Sequence, residues 1–524
     1  MPTLTWLDRE TAVKAAEAVP FRVLDFDPKL SAGDPAAENL IIQGDNLDAV
    51  KAITPCFAGR VKCFAIDPPY NTRSAFEHYD DNLEHSTWLS MMYPRLELMR
   101  DLLAEDGSIW VHIDDSEAHY LKAIMDEVFG RARFIASNVW QKRYSRENRE
   151  AIGDVHEYIL VYAMNPERFK ECRNRVPPTE DQTRVYRNPS NDPRGRWRPI
   201  PLTAQEGHAT PDQFYEIVAP SGRVFRPPKG RCWGLAKSTF DRLRTEGRIY
   251  FGKKGDSQPN LVRYLSEVEG YVPWTWWPSE EVGHTDESKK EVHELFGKEN
   301  AFETPKPERL LHRILTIATN PGDIVCDPFL GSGTTAAVAH KMGRRYIGVE
   351  MGDHAVTHCV PRLKKVIEGE QGGISTLVNW QGGGGFRFAR LGLPIFTPDG
   401  AIHPDIRFPT LAAHIWFSET RTAWDGHGRD GSPSRPKNGA PGGRALPTPL
   451  LGIHNGTAYF LLFNGILGDK RPLAGNVLNA VTFRHLPPHA GPKIVFGEAC
   501  QWGADRLRRE NIEFRKIPHG LKVR

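Results

Sequence analysis

The sequence predicts an α/β protein: a doubly wound, Rossmann-like parallel sheet, interrupted by a long insertion and followed by a small C-terminal α/β or α+β unit. Three observations carry this. Short apolar runs alternate with segments of helical spacing over residues 39–165, the rhythm breaks between about 166 and 300, and it resumes over 301–390. Strands that alternate with helices read as βαβ units of a parallel sheet.

In chain order, residues 39–43 form a short apolar strand, 47–53 have helical spacing, and 61–66 form a strand that ends at Asp67. Residues 87–103 read as an amphipathic helix with Leu89, Met92, Leu96 and Met99 on one face. Asp106-Gly107 turns the chain into a strand at 108–113, residues 117–129 are helical, and 156–163 form a buried strand. The stretch 166–300 is rich in Pro, Arg, Trp and Tyr and has no such period. Then come a helix at 307–318, a strand at 323–326, a glycine-rich loop, a helix at 334–342 and a strand at 345–350. Glycine clusters at 372–373 and 382–385 follow, and 425–447 is a Gly/Pro/Arg-rich stretch expected to be a flexible linker. The tail carries strand-like 458–463, 493–496 and 512–517 and helical 504–510. The implied divisions are an N-terminal extension at 1–38, sheet halves at 39–165 and 301–390, an insertion at 166–300 and a C-terminal region at 391–524.

At 524 residues the chain is long enough for two to four domains, and 40% hydrophobic with 25% charged residues is ordinary for a protein with a buried core. A net charge of +3 neither requires nor excludes nucleic acid, so electrostatic arguments must be local. The seven cysteines form no CxxC pair and no His/Cys cluster with zinc spacing, so reduced thiols and no metal are expected. Residues 1–20 are a charged, Ala-rich helical pattern unlike a signal peptide, and apolar runs such as 458–463 are too short to span a bilayer. A cytoplasmic protein is expected.

Two turns carry chemistry. The first is Asp327-Pro328-Phe329-Leu330-Gly331-Ser332-Gly333-Thr334, between a strand and a helix. Its glycines permit close backbone approach to a ligand, and free N–H groups at a helix start favour an anionic group. Glu350 closes the next strand, 17 residues after Gly333, where an acid can bond ribose hydroxyls. Thr334, Thr335 and Ala336 stand where a dinucleotide fingerprint wants a third glycine, and Asp327 would repel a pyrophosphate. A nucleoside with an amino-acid tail fits better, because Asp327 would attract its ammonium.

The second turn is Asp67-Pro68-Pro69-Tyr70, directly after a strand. An exocyclic aryl amine is a poor nucleophile because its lone pair is delocalised into the ring. Asp67 can accept one N–H and the Pro68 carbonyl the other, which draws the nitrogen toward tetrahedral geometry. Proline fixes that carbonyl's direction at low entropic cost, and Tyr70 offers a face on which an extruded base can stack. Positioning of this kind supplies about 7–11 kcal/mol. Both turns sit at carboxyl ends of strands, where open α/β sheets bind ligands.

With these motifs the chain resembles the β-class amino-methyltransferases of DNA, and among them the modification subunits of type III restriction–modification systems. The stretches that carry the resemblance are 39–48 (NLIIQGDNLD), 66–72 (IDPPYNT), 154–162, 304–311 (TPKPERLL) and 327–335 (DPFLGSGTT), within a span of roughly 39–390. The resemblance implies a methyltransferase sheet, S-adenosylmethionine as cofactor and duplex DNA as partner, with a flipped adenine methylated at N6. It implies Asp67, Pro68, Pro69 and Tyr70 as catalytic. It implies Asp45 near the cofactor's adenine, Thr304 and Lys306 closing the methionine end, Glu350 on the ribose, and Asp327, Pro328, Phe329, Gly331, Ser332, Gly333 and Thr334 as the cofactor loop. Asp45 also suits a plain Gly-Asp-Asn turn, and Lys306 also suits a residue that simply precedes a proline-started helix. A homodimer and a separate helicase–nuclease subunit are further expectations from the resemblance, although the chain is short for that class and residues past about 395 lie outside the resemblance. Cytosine N4 or RNA methylation, or a catalytically silent specificity subunit, are the alternatives.

The insertion interleaves basic residues with aromatics, as do residues 140–146 before it: Arg194 to Arg198, Lys229 to Trp233, and Lys253-Lys254. Its position between the two turns marks it as the target-recognition region, where Arg and Lys neutralise phosphates and read guanine. Trp274, Trp276 and Trp277 also suit a hydrophobic core.

Overall fold

The computed structural model describes residues 3–71, 84–144, 152–188, 191–299, 302, 304–426, 448–464, 466 and 475–518. The chain divides into two compact units, one of residues Met1–Asn174 with Trp274–Arg524 and one of Arg175–Pro273.

The larger unit is built on one sheet. Its strands are β1 (Arg22–Phe26), β2 (Ala32–Gly33), β3 (Leu40–Gln43), β4 (Val61–Ile66), β5 (Leu103–Ile113), β6 (Phe134–Gln141), β7 (His156–Ala163), β8 (Trp276–Trp277), β9 (Ile324–Asp327), β10 (Arg345–Glu350) and β11 (Gly385–Pro394). They lie in the order β1-β11-β3-β10-β9-β4-β5-β7-β6-β8, with β2 also on β11. From β11 to β5 every neighbour is parallel. β7 and β1 close this core antiparallel on either side.

The main helices are α1 (Arg9–Ala18), α2 (Asn46–Phe57), α3 (His85–Leu102), α4 (Ala118–Met125), α5 (Thr285–Phe296), α6 (Glu308–Ala318), α7 (Thr334–Lys341) and α8 (Val360–Ile367). The path β3-α2-β4-α3-β5 steps across the sheet in one direction, and β9-α7-β10-α8-β11 steps in the other. Crossovers are right-handed, so the two helix sets cover opposite faces. The sheet is doubly wound as expected, and the paths diverge between β4 and β9, where such sheets bind ligands.

Local chemistry accounts for these elements. β4 reads VKCFAI and is buried except at Lys62, as a strand covered on both faces must be. The Asp45 side chain accepts the Leu47 backbone N–H at 2.8 Å and starts α2. On α6, Leu310, Leu311, Ile314, Leu315 and Ile317 form one buried stripe. The helix expected at 117–129 stops at Met125 and continues as a wider turn over Asp126–Gly130.

Three stretches depart from the sequence reading. Residues 1–38, read as an extension, supply α1, β1 and β2, with β1 pairing β11 (Phe26↔Ala389). β11 lies where only a glycine cluster was visible, and its Phe386, Phe388 and Ala389 are buried while Arg387 and Arg390 point outward. Residues 274–299 belong to the larger unit, through β8 on β6 and through α5, so the smaller unit is narrower than 166–300.

Past residue 395, helix Phe408–Thr420 is buried at seven consecutive positions, Leu411 to Phe417, and packs with Phe21, Ile395 and Leu451. Burial all round erases the amphipathic period, which is why the sequence pattern does not reveal it. Strands Leu450–His454, Thr457–Leu461, Lys493–Gly497 and Ile512–Lys516 form a four-stranded sheet, the last three parallel. Of the expected linker 425–447, residues 427–447 lie outside the described residues. Among the described residues no helix is long and apolar enough to cross a membrane.

The smaller unit has its own core of Leu202, Ile217, Trp233, Phe240 and Phe251, beside a three-stranded antiparallel sheet. Trp197 and Trp233 are buried, while Arg194, Lys229, Arg231, Lys253 and Lys254 are exposed. The aromatic half of the sequence pattern therefore builds the unit and the basic half faces water.

Candidate active site

A cleft of about 1540 Å³ opens at the carboxyl ends of β4 and β9, and both turns line it. The two strands are direct neighbours, with Val325 opposite Cys63 and Cys326 opposite Phe64. The turns, some 260 residues apart in the chain (327 less 67), therefore meet at one rim.

On the β4 side, two prolines remove backbone donors and fix the direction of the turn. The Pro69 carbonyl accepts the buried Trp88 indole N–H at 2.7 Å. Among the described residues the Pro68 carbonyl accepts no hydrogen bond, so it is available to a ligand. The Tyr70 hydroxyl donates to Glu157 at 2.9 Å. Lys306 donates to both oxygens of Asp67, at 2.9 and 2.8 Å, and lies 3.6 Å from Glu157. Its ammonium also stands 4.9 Å from the centre of the Tyr70 ring and 5.9 Å from that of Trp140.

Burial alone would raise the pKa of Asp67, but the Lys306 ammonium overrides it and holds the carboxyl below its ordinary value. Burial would lower that of Lys306, and Asp67 with Glu157 raise it instead. Burial, then Asp67 and Glu157, push the Tyr70 phenol well above its ordinary value. The three groups are thus an anion, a cation and a neutral phenol at neutral pH.

On the β9 side the turn is tied down by backbone and side chain alike. Gly331 N–H donates to Glu350 at 2.7 Å and Phe329 N–H to Asp327 at 2.9 Å, while Asn46 bonds the Pro328 carbonyl at 2.9 Å. Ser332 and Thr334 are buried, and the Arg362 guanidinium donates to the Thr334 hydroxyl at 2.8 Å. Gly331 and Gly333 have φ of +54° and +83°. A Cβ on Gly331 would stand 3.2 Å from the Phe302 ring, and one on Gly333 would stand 3.3 Å from the Cys359 Cα. Asp327 is only 4% exposed, and burial pushes its carboxyl up to about 7.

Asp67, Pro68, Pro69, Tyr70, Asp45, Thr304, Lys306, Asp327, Pro328, Phe329, Gly331, Ser332, Thr334 and Glu350 all line this cleft. Gly333 does not: it starts α7 in the left-handed conformation and packs on Cys359. Two of these residues also have partners within the protein. Lys306 reaches across to Asp67 on the β4 turn, because a largely buried ammonium needs a carboxylate partner. Asp45 does turn work as an N-cap and is also held by Arg95 at 3.1 Å. Glu157 and His112 were not singled out as site residues. Each is a buried polar residue in a largely apolar strand, a signal that could have marked them.

A family model described as DNA methylase matches residues 61–360. The chain belongs to the DNA methylase family. The match takes in both turns of the cleft. Relatives of this methylase include the type III restriction-modification enzyme StyLTI Mod subunit of Salmonella typhimurium, 33% identical over 367 residues that cover 64% of this chain and 55% of that protein. The probable type III enzyme HindVI Mod subunit of Haemophilus influenzae is 34% identical over 424 residues, 69% of this chain and 55% of that one. The type II methyltransferase M.EcaI of Enterobacter cloacae is 30% identical over 301 residues, covering 56% and 62%. The resemblance read from the sequence is borne out, and the methylase spans about half the length of the two Mod subunits it matches.

Proposed function

We propose that the chain methylates N6 of adenine in duplex DNA, with S-adenosylmethionine as donor, as the modification component of a type III-like restriction–modification system. The observation that carries this is a single cleft holding an ionised amine acceptor, Asp67, beside the buried Asp327 carboxyl of the β9 turn. The residues fit that cofactor. Among the described residues Asp327 has no cationic partner, and it is held near half protonation at neutral pH, which suits an ammonium. Glu350 suits a diol, and three carboxylates (Asp45, Asp327, Glu350) lining one cleft disfavour a pyrophosphate.

S-adenosylmethionine supplies an electrophilic methyl when bound. The protein's task is to present the nitrogen. The Asp67 carboxylate accepts one N–H of the amine and the free Pro68 carbonyl the other, so the lone pair leaves the plane of the ring. Lys306 keeps Asp67 anionic and aimed, and Glu157 holds the Tyr70 hydroxyl so that its ring is fixed at the wall of the cleft. As the nitrogen becomes cationic its proton turns acidic and passes to the carboxylate or to water, without a strong base. The base must leave its stack to reach this cleft.

Transfer of labelled methyl to DNA and to RNA, followed by nucleoside analysis, tests the reading. N6-methyladenine in DNA is expected, and label in RNA alone, or in N4-methylcytosine, overturns the substrate assignment. Gly331→Val is expected to weaken cofactor binding at least about 100-fold by calorimetry, because a β-branched residue is strained at φ +54° and meets Phe302.

Residues 166–300 are read as the target-recognition segment, with residues 175–273 contacting phosphates through their exposed lysines and arginines. Reversing Lys253 and Lys254 together to Glu is expected to flatten the plot of log binding constant against log salt by about 2. An unchanged slope removes these lysines from the DNA interface. Assembly as a homodimer with a separate helicase–nuclease subunit is part of the same reading, and co-purification with such a subunit tests it.

A further inference from the structure

His112 lines the cleft and has no task in the chemistry above. It lies on β5, one residue past Val111, which pairs Ile66, so it stands beside Asp67 at the ends of adjacent parallel strands. Cross-strand pairing puts Ile159 of β7 opposite His112 and Glu157 opposite Trp140 of β6, on the same face of the sheet. The Trp140 ring meets the imidazole edge-on, with centroids 6.5 Å apart. His112 is 1% exposed, and neither of its ring nitrogens has a hydrogen-bond partner among the described residues. Lys306, the nearby donor, is committed to Asp67. Burial lowers the imidazole pKa to about 4, so the ring is neutral, with one N–H donor and one acceptor.

Two unpaired polar atoms at a buried position are unfavourable, and an aliphatic residue would suit its same-face neighbours Trp110 and Ile159 better. A ligand that accepts a hydrogen bond would remove the penalty. The amine set between Asp67 and the Pro68 carbonyl brings such an acceptor with it, since the ring nitrogen next to the amine, N1 in adenine, carries an in-plane lone pair.

We propose that His112 donates a hydrogen bond to the ring nitrogen adjacent to the target amine and so reads the Watson–Crick edge of the inserted base. This rests on the reading of Asp67 as the amine's acceptor. The bond fixes the base in its plane, with the amine held over Asp67.

The test uses the full chain on a duplex bearing its methylation site, found by sequencing methylated DNA, with the target as adenine, 1-deazaadenine or 7-deazaadenine. For the unaltered protein, 1-deazaadenine is expected to lower kcat/KM about 10- to 100-fold and 7-deazaadenine to have little effect. His112→Leu is expected to lose a similar factor on adenine and to lose nothing more on 1-deazaadenine. His112→Gln, which retains a donor, is expected to recover most of the rate, and cofactor binding is unchanged in both variants. Equal rates of the unaltered protein on adenine and 1-deazaadenine overturn the inference without any variant. So do additive losses for His112→Leu and 1-deazaadenine, or coupling to N7 instead. If Asp67→Ala transfers normally, the amine reading fails and this inference falls with it. If that variant is inactive but no N1 coupling is found, only the assignment of His112 falls.

Discussion

Asp67→Ala is expected to cut methyl transfer by about 100- to 1000-fold while cofactor affinity changes less than about threefold. The magnitude is that of removing one preorganised charge-assisted partner from a water-poor site, roughly 2.7–4 kcal/mol. The separation of effects follows from the geometry, since Asp67 belongs to the β4 turn and the proposed cofactor contacts to the β9 turn and β10. The variant also leaves the largely buried Lys306 ammonium with Glu157, at 3.6 Å, as its remaining carboxylate among the described residues, so a drop in thermal stability is expected. Lys306→Met added to Asp67→Ala should restore part of that stability and none of the activity. Single-turnover transfer and calorimetric titration separate the two effects, and near-normal turnover in Asp67→Ala rules out its role.

The second large effect is expected at Asp327. Its pKa is raised in the folded chain, from 3.8 to about 7, because the carboxyl is buried with no cationic partner among the described residues. Below pH 4 both folded and unfolded chains hold the proton, and the residue has no pH-dependent effect. Between about 4 and 7 the unfolded chain releases a proton that the folded chain keeps, so stability falls as pH rises, and above 7 the penalty is constant. The upper bound is about 4 kcal/mol, three pKa units at about 1.36 kcal/mol each. Asp327→Asn should therefore melt higher than the parent at pH 8 and equal to it at pH 4. Cofactor binding runs the other way. In the parent, an ammonium must first drive off the proton, so affinity should rise from pH 5.5 to 8, while Asp327→Asn binds weakly with no such rise. A flat profile in the parent means that no cation is received there.

The cleft was legible to different depths in its parts. The β4 and β9 turns stand out because each packs its chemistry into a few consecutive residues, and a carboxylate, two prolines and an aromatic serve no common structural need together. Glu350 was legible by its place at the end of a strand. Lys306 was visible as a residue but not as the partner of Asp67, since their contact joins positions 239 residues apart. Glu157 and His112 were hidden in strands that read as apolar. β1 and its neighbour β11 were missed because exposure at Phe26, Arg387 and Arg390 and glycine at β11's start break the alternation that marks a strand.

The sequence by itself determined the class of sheet and the identity of the reacting groups. Hydrophobic period is set by local backbone geometry, and the two turns are contiguous in the chain. Only tertiary structure decided which groups stand against each other. The chain winds from β4 in one direction and from β9 in the other, and these two strands end up side by side. Asp67, Lys306, Glu157 and His112 therefore share a cleft although they come from four separate stretches. Their charge states were likewise undecided until burial was known, because desolvation and ion pairing depend on neighbours that no local pattern specifies.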